Sequence, residues 1–182
     1  MHAVDLVFAI GWAAFWISWL AAAFTTKRGR QSYSRQLRIR ALLFVVVLVL
    51  VRAGAFKNHV SHSDPLLEVI GIVLFVAGLG FAIWARFHIG RNWGTPMSQK
   101  ENPELVTSGP YRLVRHPIYS GILAAGVGTA VAVSWSWLIP VALSGAYFVY
   151  SATVEERYLV HEFPDTYPAY RRSTKMLVPF IF

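Results

Sequence analysis

The side chains able to do chemistry gather in two short stretches of this sequence. One is Tyr111-Arg112-Leu113-Val114-Arg115-His116-Pro117-Ile118-Tyr119; the other is the adjacent pair Glu155-Glu156. No Asp or Glu occurs between Glu104 and Glu155, so the paired acids stand out against an uncharged background. Such a set can hold an organic cation between a carboxylate and tyrosine faces. Arginines beside it can orient a carboxylate by paired hydrogen bonds. The same residues also fit a membrane-interface belt, with aromatics and arginines at headgroups and acids paired to them. Cysteine is absent, which removes thiolate nucleophiles, disulfides and cysteine metal sites.

The elements that must position these groups are read from hydropathy. Of 182 residues, 55% are hydrophobic and only 14% are charged, well below the charged share of a soluble domain. The apolar residues form runs, and about 20 residues are needed to cross a bilayer. The net charge of +8 reads as basic loops that set topology and meet anionic headgroups, not as a nucleic-acid surface. The expectation is an all-α integral membrane protein with five transmembrane helices, a C-terminal helical hairpin and a cytoplasmic amphipathic tail.

The first span covers about Leu6–Thr25 and carries Trp12, Trp16 and Trp19 on one face, which reads as a packing face. No signal-cleavage pattern accompanies it, so it reads as a retained anchor. The segment Lys27–Arg40 holds six basic residues and no acid. By the positive-inside rule it is cytoplasmic, which places the N-terminus outside. A short second span, Ala41–Phe56, carries Arg52 near its outer end, where a snorkelling side chain is expected. His59 and His62 in the next loop lack companion ligands, and no metal is expected. The third span, Pro65–Phe87, offers Gly71, Gly78 and Gly80 for close helix approach.

A long connection, His88–His116, contains Pro96, Pro103 and Pro110, with Pro117 just beyond. Long ordered loops are commonly functional. The fourth span, Ile118–Val133, and the fifth, Leu138–Thr153, form a tight hairpin through Ser134-Trp135-Ser136-Trp137. The hairpin returns Arg115–Tyr119 and Glu155-Glu156 to one membrane depth. The acids then stand at a helix C-terminus, an unfavourable place for negative charge, which calls for a cationic ligand or Arg115 as partner. Residues 1–64 make two anchoring spans; residues 65–182 make the catalytic region, with loop 88–117 and tail 154–182.

The pattern Arg115-His116-Pro117-Ile118-Tyr119-Ser120-Gly121 is specific. With Gly109-Pro110-Tyr111, Glu155-Glu156, Tyr167-Pro168-Ala169-Tyr170-Arg171-Arg172 and Pro179-Phe180, it resembles the isoprenylcysteine carboxyl methyltransferases, within the wider group that includes phospholipid N-methyltransferases. The resemblance covers about Arg91–Phe182. It implies S-adenosylmethionine as cofactor, with S-adenosylhomocysteine as product. Carried over by position, the cofactor-binding residues are Gln99, Leu105, Val106, Tyr111, Arg115, His116, Pro117, Ile118, Tyr119 and Glu155. The sequence departs from the family pattern at Pro103, where many members have histidine, and at Ser173, where an arginine is common.

Methyl transfer from a sulfonium is an in-line displacement, so positioning and water exclusion carry the catalysis. A carboxylate acceptor needs no general base. Arg172, then Arg171, are the expected orienting residues, with Glu156 the third catalytic candidate. The expected reaction is O-methylation of a lipid-like or isoprenoid-linked carboxylate, with membrane lipids and a lipophilic small molecule as partners. An amine acceptor, as in phospholipid N-methylation, must first lose a proton, and His116 or a glutamate would be the base. Gly121, Gly126, Gly128 and Gly145 either leave room for a lipid tail or pack helices. A more distant reading is an NADPH-dependent sterol or enone reductase, whose hairpin motif is similar; Glu155-Glu156 suits a cationic cofactor better. A scaffold or transporter is disfavoured by the missing repeat and the missing midplane charges. A bacterial inner membrane, with the site and C-terminus cytoplasmic, is the expected location.

Overall fold

A computed structural model describes residues 3–23, 64–93 and 104–181. The expected second span, Arg52, His59, His62, Gln99 and Pro103 lie outside the described residues. Five helices are described: α1 (Ala3–Ala23), α2 (Pro65–Ile89), α3 (Pro117–Ala132), α4 (Leu138–Glu162) and α5 (Tyr167–Ser173). Single 3-10 turns occupy Gly90–Asn92, Gly109–Arg112 and Trp135–Trp137. Among the described residues there is no strand, only an isolated parallel bridge between Val114 and Lys175.

Local chemistry sets the boundaries. Asp64 caps α2 by accepting from the Leu66 amide at 2.9 Å, and Pro65 fills the first helical position, where a missing N–H is harmless. Gly90 ends the helix at φ 54°, a conformation glycine adopts without Cβ strain. Pro117 opens α3 in the same way. The turn at Trp135–Trp137 closes the expected hairpin, with Ser134 and Ser136 hydroxyls 2.7 Å apart.

Two helical segments, Pro65–Ile89 and Trp135–Glu162, are long and apolar enough to cross a membrane, and most of their surface faces outward. Val69, Val73 and Val76 on α2 are all well exposed. A helix that is apolar and yet unburied suits lipid as its solvent. Two helices are thus candidate spans by length and composition, with the shorter apolar helices Val4–Trp19 and Pro117–Ala132 beside them.

The tightest pair is α2 with α3. A Cβ on Gly71 would come within 2.5 Å of the Gly128 carbonyl, and one on Gly128 within 2.5 Å of the Gly71 carbonyl. Gly78 and Gly121 repeat this reciprocity seven residues along each antiparallel helix, at 2.6 and 2.5 Å. Backbone therefore rests on backbone along the seam. A Cβ on Gly80, by contrast, meets nothing within 4 Å among the described residues, where Gly71 and Gly78 make the close approaches of α2. Of the two readings of the α3 glycines, room for a lipid tail or helix packing, packing is the one found. Gly121 and Gly128 are filled by α2, and Gly126 by Val141.

Helix α1 lies against this seam through aromatics. Phe8 and Trp12 contact the Phe75 ring at 4.6 and 5.5 Å between centroids. The Trp12 indole N–H donates to Thr129 Oγ1 at 3.1 Å, and that hydroxyl donates onward to the Ala125 carbonyl. The packing face is centred on Phe8 and Phe15, both buried, whereas Trp16 is 44% exposed.

Candidate active site

Helix α4 does not stop at Thr153 but continues to Glu162. Glu155 and Glu156 therefore sit inside the helix, not at its terminus, and the expected helix-end penalty does not apply. Their partners come from the facing connection. Arg115 Nε donates to Glu156 Oε1 at 2.7 Å, and the two side chains are only 9% and 3% exposed. Arg171 Nε approaches Glu156 Oε2 at 3.2 Å from the solvent side. Tyr119 donates its hydroxyl to Glu155 Oε1 at 2.6 Å.

His116 joins the two acids. Its Nδ1 lies 3.5 Å from Glu155 Oε2 and its Nε2 lies 3.3 Å from Glu156 Oε1. Burial alone would lower the imidazole pKa. Hydrogen bonding and charge from Glu155 and Glu156 outweigh it, and the pKa is raised above the ordinary 6.5. The ring also begins a stack. His116 and Tyr119 are 5.5 Å apart and nearly parallel, and Tyr119 and Phe148 are 4.5 Å apart at the same 4°.

The tail is tied across this cluster. The Arg115 and His116 amides donate to the carbonyls of Lys175 and Met176 at 2.8 and 3.1 Å. Arg115 also donates to the carbonyls of Arg171 and Thr174. Ser120 Oγ donates to the Leu177 carbonyl at 2.6 Å, and Tyr170 donates to the Tyr111 carbonyl at 2.6 Å. The tail is thus a strap of one short helix and an extended segment. Burial raises the phenols of Tyr111 and Tyr167 and pushes Tyr170 up to about 12, so all three remain protonated donors.

These groups face a cavity of about 260 Å³, near the lower end of small-molecule sites. Leu105, Val106, Tyr111, Arg115, His116, Pro117, Ile118, Tyr119 and Glu155 all line it. Glu156 lies behind the wall, and neither Arg171 nor Arg172 reaches it. Arg172 is exposed, and Arg171 is spent on Glu156.

The sequence reading missed the rest of the wall. Trp16 and Trp19 come from α1, and Trp93 from the start of the long connection. Trp19 meets Trp93 edge-on at 5.4 Å, and the Arg86 guanidinium lies over the Trp93 ring at 4.5 Å. Phe148, Tyr158, Tyr167 and Tyr170 complete the aromatic surround. A sequence signal existed for one pair: Arg86 and Trp93 are seven residues apart and straddle the helix end at Gly90. Among the described residues no cluster of three or more His, Cys, Asp or Glu could hold a metal ion.

Comparison with known proteins places this geometry. The chain is 31% identical over 150 residues to the cobalt-zinc-cadmium resistance protein CzcN of Cupriavidus metallidurans, covering 78% of this chain and 64% of that protein. It is 30% identical over 135 residues to protein-S-isoprenylcysteine O-methyltransferase of Schizosaccharomyces pombe, covering 68% and 57%. The chain thus spans about 60% of the length of these two relatives. Its fold resembles that of a eukaryotic intramembrane Ras methyltransferase, the isoprenylcysteine carboxyl methyltransferase, with a TM-score of 0.57 at 23% identity, over 83% of this chain and 55% of that one. Residues 67–166, which contain the glycine seam, the Arg-His-Pro motif and both acids, match the phospholipid methyltransferase family. This match makes the chain a member of the phospholipid methyltransferase family, and its apolar outer surface fits a membrane-embedded protein.

Proposed function

We propose that this protein transfers a methyl group from S-adenosylmethionine to a lipid-like acceptor, most simply a carboxylate. The observation that carries this is Glu155, fixed by Tyr119 at 2.6 Å in the wall of an aromatic cavity. A carboxylate beside tyrosine and tryptophan faces is the environment an ammonium- and sulfonium-bearing nucleoside requires. When bound, that cofactor supplies an electrophilic methyl group. Glu155 holds its cationic portion, Tyr111 and Tyr119 offer ring faces, and Leu105, Val106 and Ile118 close the apolar side. Gln99 is retained as a contact by family position.

His116 bears on the acceptor. Both ring nitrogens face carboxylates, and its pKa is raised. A proton held between two acids is poorly placed to be exchanged with a substrate amine. This favours an acceptor that is already anionic and needs only orientation and exclusion of water. Arg115 keeps the acids and the strap in register. Arg171 and Arg172 can meet an anionic acceptor only from the solvent-facing mouth, since neither lines the cavity. The site and tail face the cytoplasm in this reading, as the basic 27–40 segment implies.

The test uses detergent-purified protein. S-adenosylhomocysteine should bind at micromolar concentration, and Glu155→Gln should weaken it strongly. Radiolabelled cofactor offered with a lipid extract should give base-labile label, as an ester does. Tight NADPH binding without S-adenosylhomocysteine binding would sink the methyl-transfer reading, and base-stable label would redirect it to an amine, ether or sulfur acceptor.

A further inference from the structure

Tyr167 is only 1% exposed, lines the cavity, and its hydroxyl has no hydrogen-bond partner among the described residues. A buried phenol left without a partner loses the hydrogen bond it would make in water, so it is a feature that calls for a partner. The residue begins the strap helix α5 and is held edge-on against Tyr170 at 5.9 Å. Pro168, next in sequence, fixes the start of that helix. The ring is thus anchored while its polar end is unused.

The charges near this hydroxyl select what it would bind. The Glu156 charge acts on it most strongly, then that of Arg115 and, more weakly, that of Arg171, and Glu156 is itself engaged by Arg115 at 2.7 Å and by Arg171 at 3.2 Å. Burial, then the Glu156 charge, keeps the phenol protonated, and so a donor. A donor with two guanidinium groups nearby and one compensated carboxylate favours an anionic oxygen. The other polar end of the cavity, at Glu155 and Tyr119, has the opposite preference.

Resting on the methyl-transfer reading, we infer that Tyr167 donates a hydrogen bond to a ligand carboxylate in the cavity, opposite in charge preference to the Glu155 subsite. That carboxylate belongs either to the amino-acid end of the methyl donor or to the acceptor. Tyr167 is then a ligand-binding residue supplied by the tail, and the strap is part of the binding surface as well as a fastening.

The experiment compares Tyr167→Phe with the wild-type protein in detergent. Calorimetry would measure the affinity for S-adenosylhomocysteine and for its decarboxylated analogue, which keeps the amine and lacks the carboxylate. A tenfold or greater loss for S-adenosylhomocysteine, with the analogue unchanged, assigns Tyr167 to the donor's carboxylate. Unchanged binding of both, with a tenfold drop in base-labile label from a subsaturating lipid extract, assigns it to the acceptor's carboxylate. Equal losses for both nucleosides, with a lowered melting midpoint, mean that Tyr167 only supports the wall, and overturn the inference. So do unchanged binding and unchanged ester label, which would leave the hydroxyl to water. If the wild-type protein binds neither nucleoside, the methyl-transfer reading fails first, and the two failures are told apart.

Discussion

Arg115 and Glu156, 41 residues apart in sequence, form a 2.7 Å ion pair with both side chains almost withdrawn from solvent. Arg115 lines the cavity while Glu156 lies behind its wall, and the pair ties the foot of α3 to α4 and to the strap. Removing one member of a buried pair leaves the other charge uncompensated, at a cost of about 3–5 kcal/mol. Arg115→Met should therefore lower stability by that order in detergent melting or denaturant titration. A loss below about 1 kcal/mol would show that the pair is solvated in the working protein.

The glycine seam makes a sharper contrast. Gly78→Ala or Gly121→Ala would drive a methyl group into the opposing backbone, where no flexible side chain can yield. Overpacking of this kind costs about 1–3 kcal/mol. Gly80→Ala, with no described residue within 4 Å of the added Cβ, should be neutral or gain about 0.5–1 kcal/mol from helix entropy. Melting midpoints of the three variants, ranked with Gly80→Ala highest, are the check.

The pH dependence has a defined sign. His116 has a folded-state pKa above its ordinary 6.5. Its contribution to stability is then fully present below the unfolded pKa and is lost as pH rises through the raised folded value. The groups facing it are Glu155 and Glu156, with Arg115 sharing Glu156 and Tyr119 stacked on the ring. The wild-type melting midpoint should fall as pH rises across this window, and His116→Asn should flatten that slope. An identical slope in both proteins would mean that another group titrates.

Tyr119 has two roles that substitution can separate. Tyr119→Phe keeps the stack on Phe148 and removes the hydroxyl that fixes Glu155. A hydrogen bond to a charged group contributes about 1.5–3 kcal/mol. If all of it is felt by the ligand, S-adenosylhomocysteine affinity should fall roughly 10- to 150-fold with little change in melting. Tyr119→Leu should lose both affinity and stability. A Phe variant with wild-type affinity would release Glu155 from the proposed ammonium role.

What the sequence made legible followed from local and patterned signals. The apolar runs located α2, α3 and α4, and Pro65, Pro117 and the Ser-Trp-Ser-Trp turn marked boundaries within a few residues. The Arg115–Tyr119 stretch and Glu155 could be paired across the hairpin because its turn length fixes where the ends meet. The end of α4 was misplaced because hydropathy stops at Thr153 while helical hydrogen bonding continues through charged residues. Arg171 and Arg172 stand beside Ser173, where the family pattern has an arginine, and neither lines the cavity. Trp16, Trp19 and Trp93 were out of reach for another reason. Trp16 and Trp19 join the wall because α1 packs on the α2–α3 seam, and Trp19 there meets Trp93, a relation between distant segments that no local pattern encodes.

The strap has a consequence for how the protein is made. A ribosome delivers the hairpin before it delivers residues 167–177, and the translocon can insert α2, α3 and α4 without them. Until the later segment arrives, Arg115 lacks its carbonyl acceptors, Ser120 lacks the Leu177 carbonyl, and Tyr167 is missing from the wall. A nascent chain can therefore be fully lodged in the bilayer and still be without a pocket, so membrane insertion and site assembly are two separate events in its biogenesis.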